Sequence, residues 1–414
     1  MVKINKVLIN LSMFLMFLIM TLRIFVIDYF GTSSIIVLQF CSCILLFISL
    51  IRNGSIKKNN LKFSLLFICI LLPCFYNNVY LNEKIKLTGI LCYIFTIIYS
   101  IFLCMKNGKE ENILFFMKLL YIFSIVTSIV TWMSFLNPNL YINIVNNFFP
   151  NDSAKSVVAL LNSRHVYSGL TDHYSRNAFF VSIGLLSIIY ISNFYKYHTK
   201  KYIILSIFLM ITLMLIGKRA HLLFLVISLI ISYFVMKKIS IKSISKFLLI
   251  ILFSIFALGI IFKIMPETMN SFNRFFDSGV SQDISSGRFE LYRDAINMYC
   301  SNNSKPIGWG GFAKNKNYQF AGVHNDYLQI FVETGIIGFI MIIGSNIFLL
   351  IYSMKRLTNS DQNLNLNYII VTFNLFFMIY SLTGVPHYDV EVYMMYFILN
   401  SFLMWFNLKK ERNI

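Results

Sequence analysis

Charged residues are scarce in this sequence. Asp, Glu, Lys and Arg make up only 13% of the 414 residues, whereas 57% are hydrophobic, 17% are aromatic and the mean hydropathy is +0.70. Soluble globular domains carry about 25% charged residues, so this composition excludes a soluble enzyme and also a globular enzyme with a membrane anchor. The sequence predicts an all-α polytopic membrane protein with a single integral membrane domain over residues 1–414.

Acidic residues are especially few. The chain has 17 Asp and Glu against 36 Lys and Arg, which gives a net charge of +19. In a soluble protein this excess would suggest a nucleic-acid partner. Here the lysines cluster between apolar runs, where the positive-inside rule accounts for most of them. We therefore predict no nucleic-acid partner.

Paired cysteines and His/Cys clusters are lacking too. The sequence has seven cysteines, of which only Cys300 lies in a long loop, and it contains no CxxC pair. Neither a zinc site nor a disulfide framework is predicted from this pattern. We expect no metal and no cofactor.

Apolar segments long enough to cross a bilayer recur along the chain. A helix needs about 20 apolar residues to cross the hydrocarbon, and on this criterion we predict about twelve spans. The first has a basic start but no small-residue cleavage site, so we interpret it as a retained span rather than a signal peptide. The predicted spans lie near residues 7–27, 34–51, 63–81, 87–105, 112–136, 177–195, 202–217, 220–236, 246–264, 326–353, 367–384 and 390–408.

The placement of lysine predicts the orientation. Alternate loops carry most of the lysines, and nearly all of their cations are lysine, which places these loops and both termini in the cytoplasm. Two long loops, 137–176 and 265–325, are then predicted to face outward, the second of them between spans nine and ten.

Arginines are concentrated on the predicted outer side. A guanidinium can hold phosphate oxygens bidentately, so this asymmetry suggests an anionic ligand. Pairing with nearby acids such as Asp172 or Glu290 is the alternative for each of them. The outer arginines are Arg164, Arg176, Arg219, Arg274, Arg288 and Arg293.

Two short polar stretches at outer span ends contain candidate site residues. "YSGLTDHYSRNAFF" leads into the sixth span with His173 and Arg176, which are either substrate contacts or parts of an ordinary turn. "GKRAHLL" separates the seventh and eighth spans by so few residues that Lys218, Arg219 and His221 cannot all lie in bulk water. A charge at that depth is costly and marks a candidate site, with snorkelling to the headgroups as the alternative.

The stretch "SSGRFELYRDAINMY" in the second long loop predicts a short amphipathic helix. Its first turn would contain Arg288, where free backbone N–H groups and one guanidinium suit a phosphate. A surface helix whose Arg288 meets Glu290 or a lipid phosphate is the alternative. The apolar face that we expect on the membrane is formed by Phe289, Tyr292, Ile296 and Tyr299.

Two further stretches surround the start of the tenth span. The glycines of "PIGWGGFAKN", among them Gly310, allow a tight turn or close approach of a ligand. In "GVHNDYLQIFVETGIIGF", His324, Asn325 and Tyr327 lie where the helix dipole favours a negatively charged partner, and His324 and Tyr327 can face one cleft. We expect Glu333, deeper in the span, to be hydrogen-bonded to another helix or to Arg219, and to share a helix face with Asp326.

The order of these stretches resembles the O-antigen polymerase and O-antigen ligase superfamily of bacterial envelope glycosyltransferases. The resemblance is carried by "GKRAHLL", "SGRFELYRDA", "GWGGF" and "HNDYLQIFVETGIIGF", and it covers spans seven to ten. It implies a GT-C type helical membrane fold and a metal-independent, inverting glycosyl transfer. It does not separate polymerases from ligases.

The resemblance also implies roles for individual residues. By position, Arg219 and Arg288 would contact the pyrophosphate of an undecaprenyl-diphosphate-linked glycan, and His324 would lie at the reaction centre. Chemistry agrees, because the leaving group needs a cationic site and the acceptor hydroxyl needs a base. Many relatives have Ser or Thr where this chain has Lys218. Our predicted substrate-binding residues are Arg176, Lys218, Arg293, Gly310, Asn325 and Tyr327.

The predicted function is polymerisation of lipid-linked repeat units of O-antigen or capsular polysaccharide at the outer face of the bacterial inner membrane. The expected partners are the lipid-linked donor and acceptor, membrane lipids, a flippase and a chain-length regulator. One alternative is an O-antigen ligase, which uses lipid A core as acceptor. The other is a lipid-linked oligosaccharide flippase, which should line a central cavity with charges in mid-span.

Overall fold

The computed structural model describes residues 2–53, 61–75, 84–106, 109–195, 200–236, 288–315, 322–359 and 363–405. Within these ranges the chain is helical and contains no β-strand, which confirms the all-α prediction. A single 3-10 turn, Leu403–Trp405, follows the last helix. The α-helices are α1 (Val2–Phe30), α2 (Thr32–Asn53), α3 (Leu61–Phe75), α4 (Lys84–Met105), α5 (Glu110–Leu136), α6 (Pro138–Phe148), α7 (Asn151–Arg164), α8 (Tyr174–Phe194), α9 (Lys200–Leu215), α10 (Arg219–Met236), α11 (Arg288–Ser301), α12 (Gly311–Asn315), α13 (Asp326–Asn359), α14 (Leu364–Tyr380) and α15 (Val390–Phe402).

Several helices are suited to a bilayer. Among the described residues, five helices are long and apolar enough to cross a membrane, and five more apolar helices are shorter. This supports a multi-pass membrane protein, whereas the number of twelve spans stays a prediction. The predicted span 246–264 and the first part of the loop 265–325, including Arg274, lie outside the described residues.

Helix α15 lies at the centre of the bundle. All of its residues from Val390 to Phe402 are buried, as expected for a helix that is apolar on every side. Small residues let two other helices approach closely, because a Cβ added at Gly184 of α8 would collide with Ser124 of α5. The Ser124 hydroxyl also donates to the carbonyl oxygen of Phe180 at 2.7 Å.

The predicted outer loop 137–176 is largely helical. Asn137 caps α6 by accepting from the backbone N–H of Leu140, and a proline follows it at the first helical position. Helices α6 and α7 share a small core that includes Tyr141 and Leu161. The Tyr141 hydroxyl donates to the carbonyl oxygen of Gly169 at 2.9 Å, which fixes the turn leading into α8.

Helix α13 is broken at Gly335, where φ is +70° and ψ is −175°. As a straight helix its 34 residues would measure about 51 Å, whereas the hydrocarbon core is about 30 Å thick. Asp326 and Asn346 would then lie about 30 Å apart, yet both contact the ring of His387. The first half of α13 therefore folds back on the second. The helix at the predicted span 326–353 is long and apolar enough to cross a membrane. Its break at Gly335 was not predicted, and only glycine readily adopts the backbone conformation found there.

Helix α11 is described from Arg288 onward, and a helix is present there as the sequence predicts, but it buries a different face. Its side packed on α13 centres on Ala295. Tyr292 and Tyr299 of the predicted apolar face join that cluster, whereas Phe289 and Ile296 are 68% and 49% exposed. The predicted membrane face is thus divided, because packing against α13 takes half of it.

Candidate functional site

The two ends of the bundle carry different polar groups. At one end, the starts of α1 and α5 meet in an exposed ion pair between Lys6 and Glu111. Toward the other end of α1, Arg23 meets Glu391 at the start of α15. This second end also contains the start of α8 and the junction between α9 and α10, and the candidate site lies there.

Three predicted site residues converge at this end: Lys218, Arg288 and His324, which we call the cation cluster. Burial, together with the charges of Lys218 and Arg288, lowers the pKa of His324 to about 4. Burial and the charge of Arg288 lower the pKa of Lys218 to about 8. The Nζ atom of Lys218 lies over the Tyr174 ring, 5.6 Å from its centroid. Residues from three separate segments thus share one electrostatic environment.

The cation cluster lacks acidic partners in the part of the chain that the structure describes, where no carboxylate forms an ion pair with any of its members. The charges of Lys218 and Arg288, held together in a partly buried place, repel one another, and an anion bound between them would remove that repulsion. Among the same residues no group of three His, Cys, Asp or Glu side chains could hold a metal ion. The arrangement suits an anionic ligand.

His324 occupies an unusual backbone position just before α13. Its φ is +57°, and its side chain is partly exposed. Asn325 follows and accepts the N–H of Leu328 with Oδ1 at 3.1 Å, so it caps the helix. The hydroxyl of Tyr327 donates to the carbonyl oxygen of Met378 at 2.8 Å. The expected i, i+3 pairing of His324 with Tyr327 does not form, because His324 lies outside the helix.

Arg176 is engaged in ion pairs instead of facing open space. Its guanidinium contacts Asp172, lies 3.1 Å from Asp389 through Nε and lies 3.6 Å from Glu391 through Nη1. Arg23 reaches the same Glu391 at 3.3 Å. This network joins α1, α8 and α15 beside the cation cluster. The structure thus favours the pairing alternative for Arg176 over a direct substrate contact.

The "GWGGF" stretch is held by Glu333, whose carboxylate accepts the N–H of Gly310 at 2.6 Å and of Phe312 at 3.2 Å. Gly308 and Gly310 have φ of +88° and +76°, so both glycines adopt the turns expected of them. Glu333 is therefore bonded to a loop and not to a transmembrane helix. Because the N–H of Gly310 is used in this way, it does not face a ligand.

Asp326, two residues beyond His324, forms a buried pair with His387. His387 donates from Nδ1 to Asp326 and accepts from Asn346 at Nε2 over 2.7 Å. The same Asp326 oxygen accepts from the hydroxyl of Ser381 at 3.2 Å. Both Asp326 and His387 are almost completely buried, so they hold the loop near His324 in place without facing solvent. Asp326 and Glu333, seven residues apart in the first half of α13, bind different loops.

The two remaining predicted residues are Arg219 and Arg293. Arg219 is the first residue of α10, and its side chain lies outside the described part. Arg293 is exposed on α11. It lies about 200° around the helix from Ala295, the residue at the centre of the packed face. Arg293 therefore points away from the cation cluster.

Two histidines of the sequence motifs also lie at this end of the bundle. His173 caps α8 by accepting the N–H of Ser175 with Nδ1 at 3.2 Å. His221 is buried against the rings of Tyr380 and Phe376, at centroid distances of 4.4 and 5.7 Å. Among the described residues, neither ring nitrogen of His221 has a hydrogen-bond partner.

Sequence reasoning missed the stretch before α15. His387, Asp389 and Glu391 form "HYDVE", a histidine and two acids at the start of an apolar span. That is the same kind of signal that identified His324, so the stretch could have been found. Arg23 gave no such signal, because it is a single cation inside an apolar helix.

The comparisons with known proteins agree with the resemblance. A family model described as O-antigen ligase matches residues 203–343. The match runs from α9 into α13 and includes Lys218, Arg219, Arg288 and His324. It confirms the resemblance to the O-antigen polymerase and ligase superfamily over this segment. No curated protein matches the chain.

Proposed function

We propose that the chain is a membrane glycosyltransferase that takes its glycan from a lipid diphosphate, and more narrowly a polymerase of undecaprenyl-diphosphate-linked repeat units. The observation that carries the proposal is the cation cluster. Lys218, Arg288 and His324 come together at one end of an apolar bundle, and no carboxylate of the described residues pairs with them. All three belong to the segment that resembles O-antigen ligases.

The cations would stabilise the leaving group. When the bond between the anomeric carbon and the phosphate oxygen breaks, negative charge builds up on the lipid diphosphate. Lys218 and Arg288 are positioned to balance that charge without a metal, and the resemblance adds Arg219. Cations held in place before the reaction need little reorganisation as this charge develops, so they favour the transition state.

His324 would act as the base. Its lowered pKa keeps the imidazole neutral at pH 7, so it can take the proton from the acceptor hydroxyl. The hydroxyl oxygen attacks the anomeric carbon from the face opposite the diphosphate, which inverts the anomeric configuration. A bound diphosphate would offset the charges of Lys218 and Arg288 and thereby raise the pKa of His324, making it a stronger base.

A ligase is the second candidate function. It would use the same donor and the same leaving-group site but would transfer the glycan to lipid A core. The observation that favours it is the description of the matching family model, O-antigen ligase. The two candidates differ only in the acceptor.

The test is complementation of a deletion strain with wild type, His324→Ala, Arg288→Ala or Arg219→Ala, with Arg293→Ala as matched control. Surface polysaccharide is analysed on a gel after the level of each protein is checked. Loss of the long-chain ladder, with a single repeat unit still attached to core, would support the polymerase. Loss of all attached glycan, with long lipid-linked chains accumulating, would support the ligase. An unchanged ladder in the first three variants would contradict the site.

We also propose a topology with twelve spans, a GT-C type fold, both termini in the cytoplasm and the cation cluster facing outward. The lysine-rich loops support it. Reporter fusions at each predicted loop test it, and an N-terminus found outside would overturn it. Movement of labelled lipid-linked units between leaflets by the reconstituted protein, without their elongation, would instead favour a flippase.

A further inference from the structure

We propose that His173 is a further substrate-binding residue, which donates a hydrogen bond from Nε2 to a phosphate oxygen of the lipid diphosphate. This inference rests on the proposed function and adds to it a residue from α8, outside the segment that the family model matches. The sequence placed His173 in a turn motif without deciding between a substrate contact and an ordinary turn.

The cap of α8 determines which nitrogen of His173 carries the proton. Nδ1 accepts the N–H of Ser175 at 3.2 Å, and the backbone carbonyl oxygen of His173 accepts the N–H groups of Arg176 and Asn177 at 3.0 and 3.1 Å. A neutral imidazole that accepts at Nδ1 must carry its hydrogen on Nε2. The ring is half-buried, and Nε2 has no hydrogen-bond partner among the described residues. One donor is therefore left for a ligand.

The surroundings of His173 identify the chemistry of that ligand. The centroid of its ring lies 4.4 Å from that of Tyr174, over which Lys218 Nζ also lies. Burial and the charges of Arg176, Lys218, His324 and Arg164 lower the pKa of His173 to about 3, so it stays neutral beside them. An anion attracted by Lys218 would meet the Nε2–H of His173 next to it. A phosphate oxygen accepts such a bond well, because bonds to charged acceptors are stronger.

His173 and His324 would thus have complementary roles. His324 has no hydrogen-bond partner in the described part of the chain and is the candidate base. His173 uses its lone pair on Nδ1 in the helix cap, so at neutral pH it can only donate. A donor that does not compete for the acceptor's proton leaves the proton transfer to His324.

Two substitutions separate ligand binding from helix capping. His173→Asn places an amide oxygen where Nδ1 is, so the cap is kept and the outer donor is lost. His173→Gln places an amide N–H near Nε2, so the donor is kept and the cap is weakened. Both variants are made in the full-length protein, purified in detergent, and compared for thermal unfolding and for binding of undecaprenyl diphosphate without any sugar.

We expect His173→Asn to unfold at the wild-type temperature and to bind undecaprenyl diphosphate on the order of ten- to a hundred-fold more weakly. We expect His173→Gln to bind within a few-fold of wild type and to unfold at a lower temperature. Wild-type binding by His173→Asn would overturn the inference and leave His173 as a helix cap only. Weakened transfer by His173→Asn with unchanged binding of undecaprenyl diphosphate would overturn it too, because the contact would then be to the acceptor sugar.

The same preparation distinguishes failure of this inference from failure of the proposed function. A wild-type protein that neither binds undecaprenyl diphosphate nor transfers glycan would overturn the proposed function, and the inference with it. A wild type that is active, with His324→Ala inactive and His173→Asn fully active, would overturn the inference alone.

Discussion

Asp326 and Asn346 hydrogen-bond to opposite nitrogens of one imidazole, that of His387. Both belong to α13, so their meeting depends on the break at Gly335. The loop before α15 is thereby tied to both halves of α13, two residues from His324. The position of the candidate base thus rests on a buried contact between segments that are distant in sequence.

Gly335→Ala should disturb this arrangement. The backbone conformation at Gly335 is almost restricted to glycine, and an added Cβ would lie 2.8 Å from Pro306 Cγ. We expect a loss of about 1–3 kcal/mol from backbone strain, seen as a lower unfolding temperature and lower transferase activity. Gly344→Ala is the control in the same helix, because its Cβ would meet nothing within 4 Å. Equal stability of the two variants would contradict the role of the break.

Arg288 and Arg293 offer a matched pair on α11. Only Arg288 acts on Lys218 and His324 electrostatically, whereas Arg293 is exposed on another side of the helix. We expect Arg288→Ala to lower kcat/KM by roughly 10²–10³, as for loss of a group that stabilises a leaving anion. Arg293→Ala should stay close to wild type. Similar losses in both variants would indicate general attraction of the anionic lipid and not a defined site.

The pH dependence of kcat/KM should be bell-shaped. The pKa of His324 is lowered to about 4, so the free enzyme gains its base as pH rises through that value. The pKa of Lys218 is lowered to about 8, so a cation is lost as pH rises above it. Rates measured from pH 4 to pH 10 should therefore rise first and fall on the basic side.

Lys218→Arg tests the assignment of the basic side. The guanidinium stays charged throughout this range, so the decline above pH 8 should move to higher pH, while the acidic side changes little. A basic side that does not move would mean that another group causes it.

Glu391→Ala should destabilise the protein strongly. Its side chain is only 3% exposed and faces both Arg23 and Arg176. Removing it takes away the carboxylate that Arg23 contacts, whereas Arg176 keeps Asp172 and Asp389. We expect a loss of about 3–5 kcal/mol in the free energy of unfolding. Thermal unfolding in detergent would measure it, with Glu111→Ala as the control. Glu111 pairs with Lys6, and its side chain is 58% exposed. Its loss should therefore have little effect on stability.

The apolar pattern and the charge placement predicted much of the local structure. The helices, among them the predicted helix that contains Arg288, and the tight turns at Gly308 and Gly310 agree with it. The fold-back of α13 was not predicted, because hydropathy stays high through Gly335 and nothing in the pattern distinguishes a packing glycine from a break. The helical content of residues 137–176 was also missed, because α6 and α7 are too short to be recognised as spans and were assigned to a loop.

By itself, the sequence determined the membrane-embedded helical class and the concentration of cations at span ends, because apolar length and net charge are properties of short segments. Only the tertiary structure decided which polar groups are left for a ligand. Arg176 finds Asp389 at a sequence separation of 213 residues, and Gly310 finds Glu333 across a loop. Lys218, Arg288 and His324 have no such partner in the described chain. Whether a side chain is paired depends on how helices pack, which periodicity along one segment does not encode.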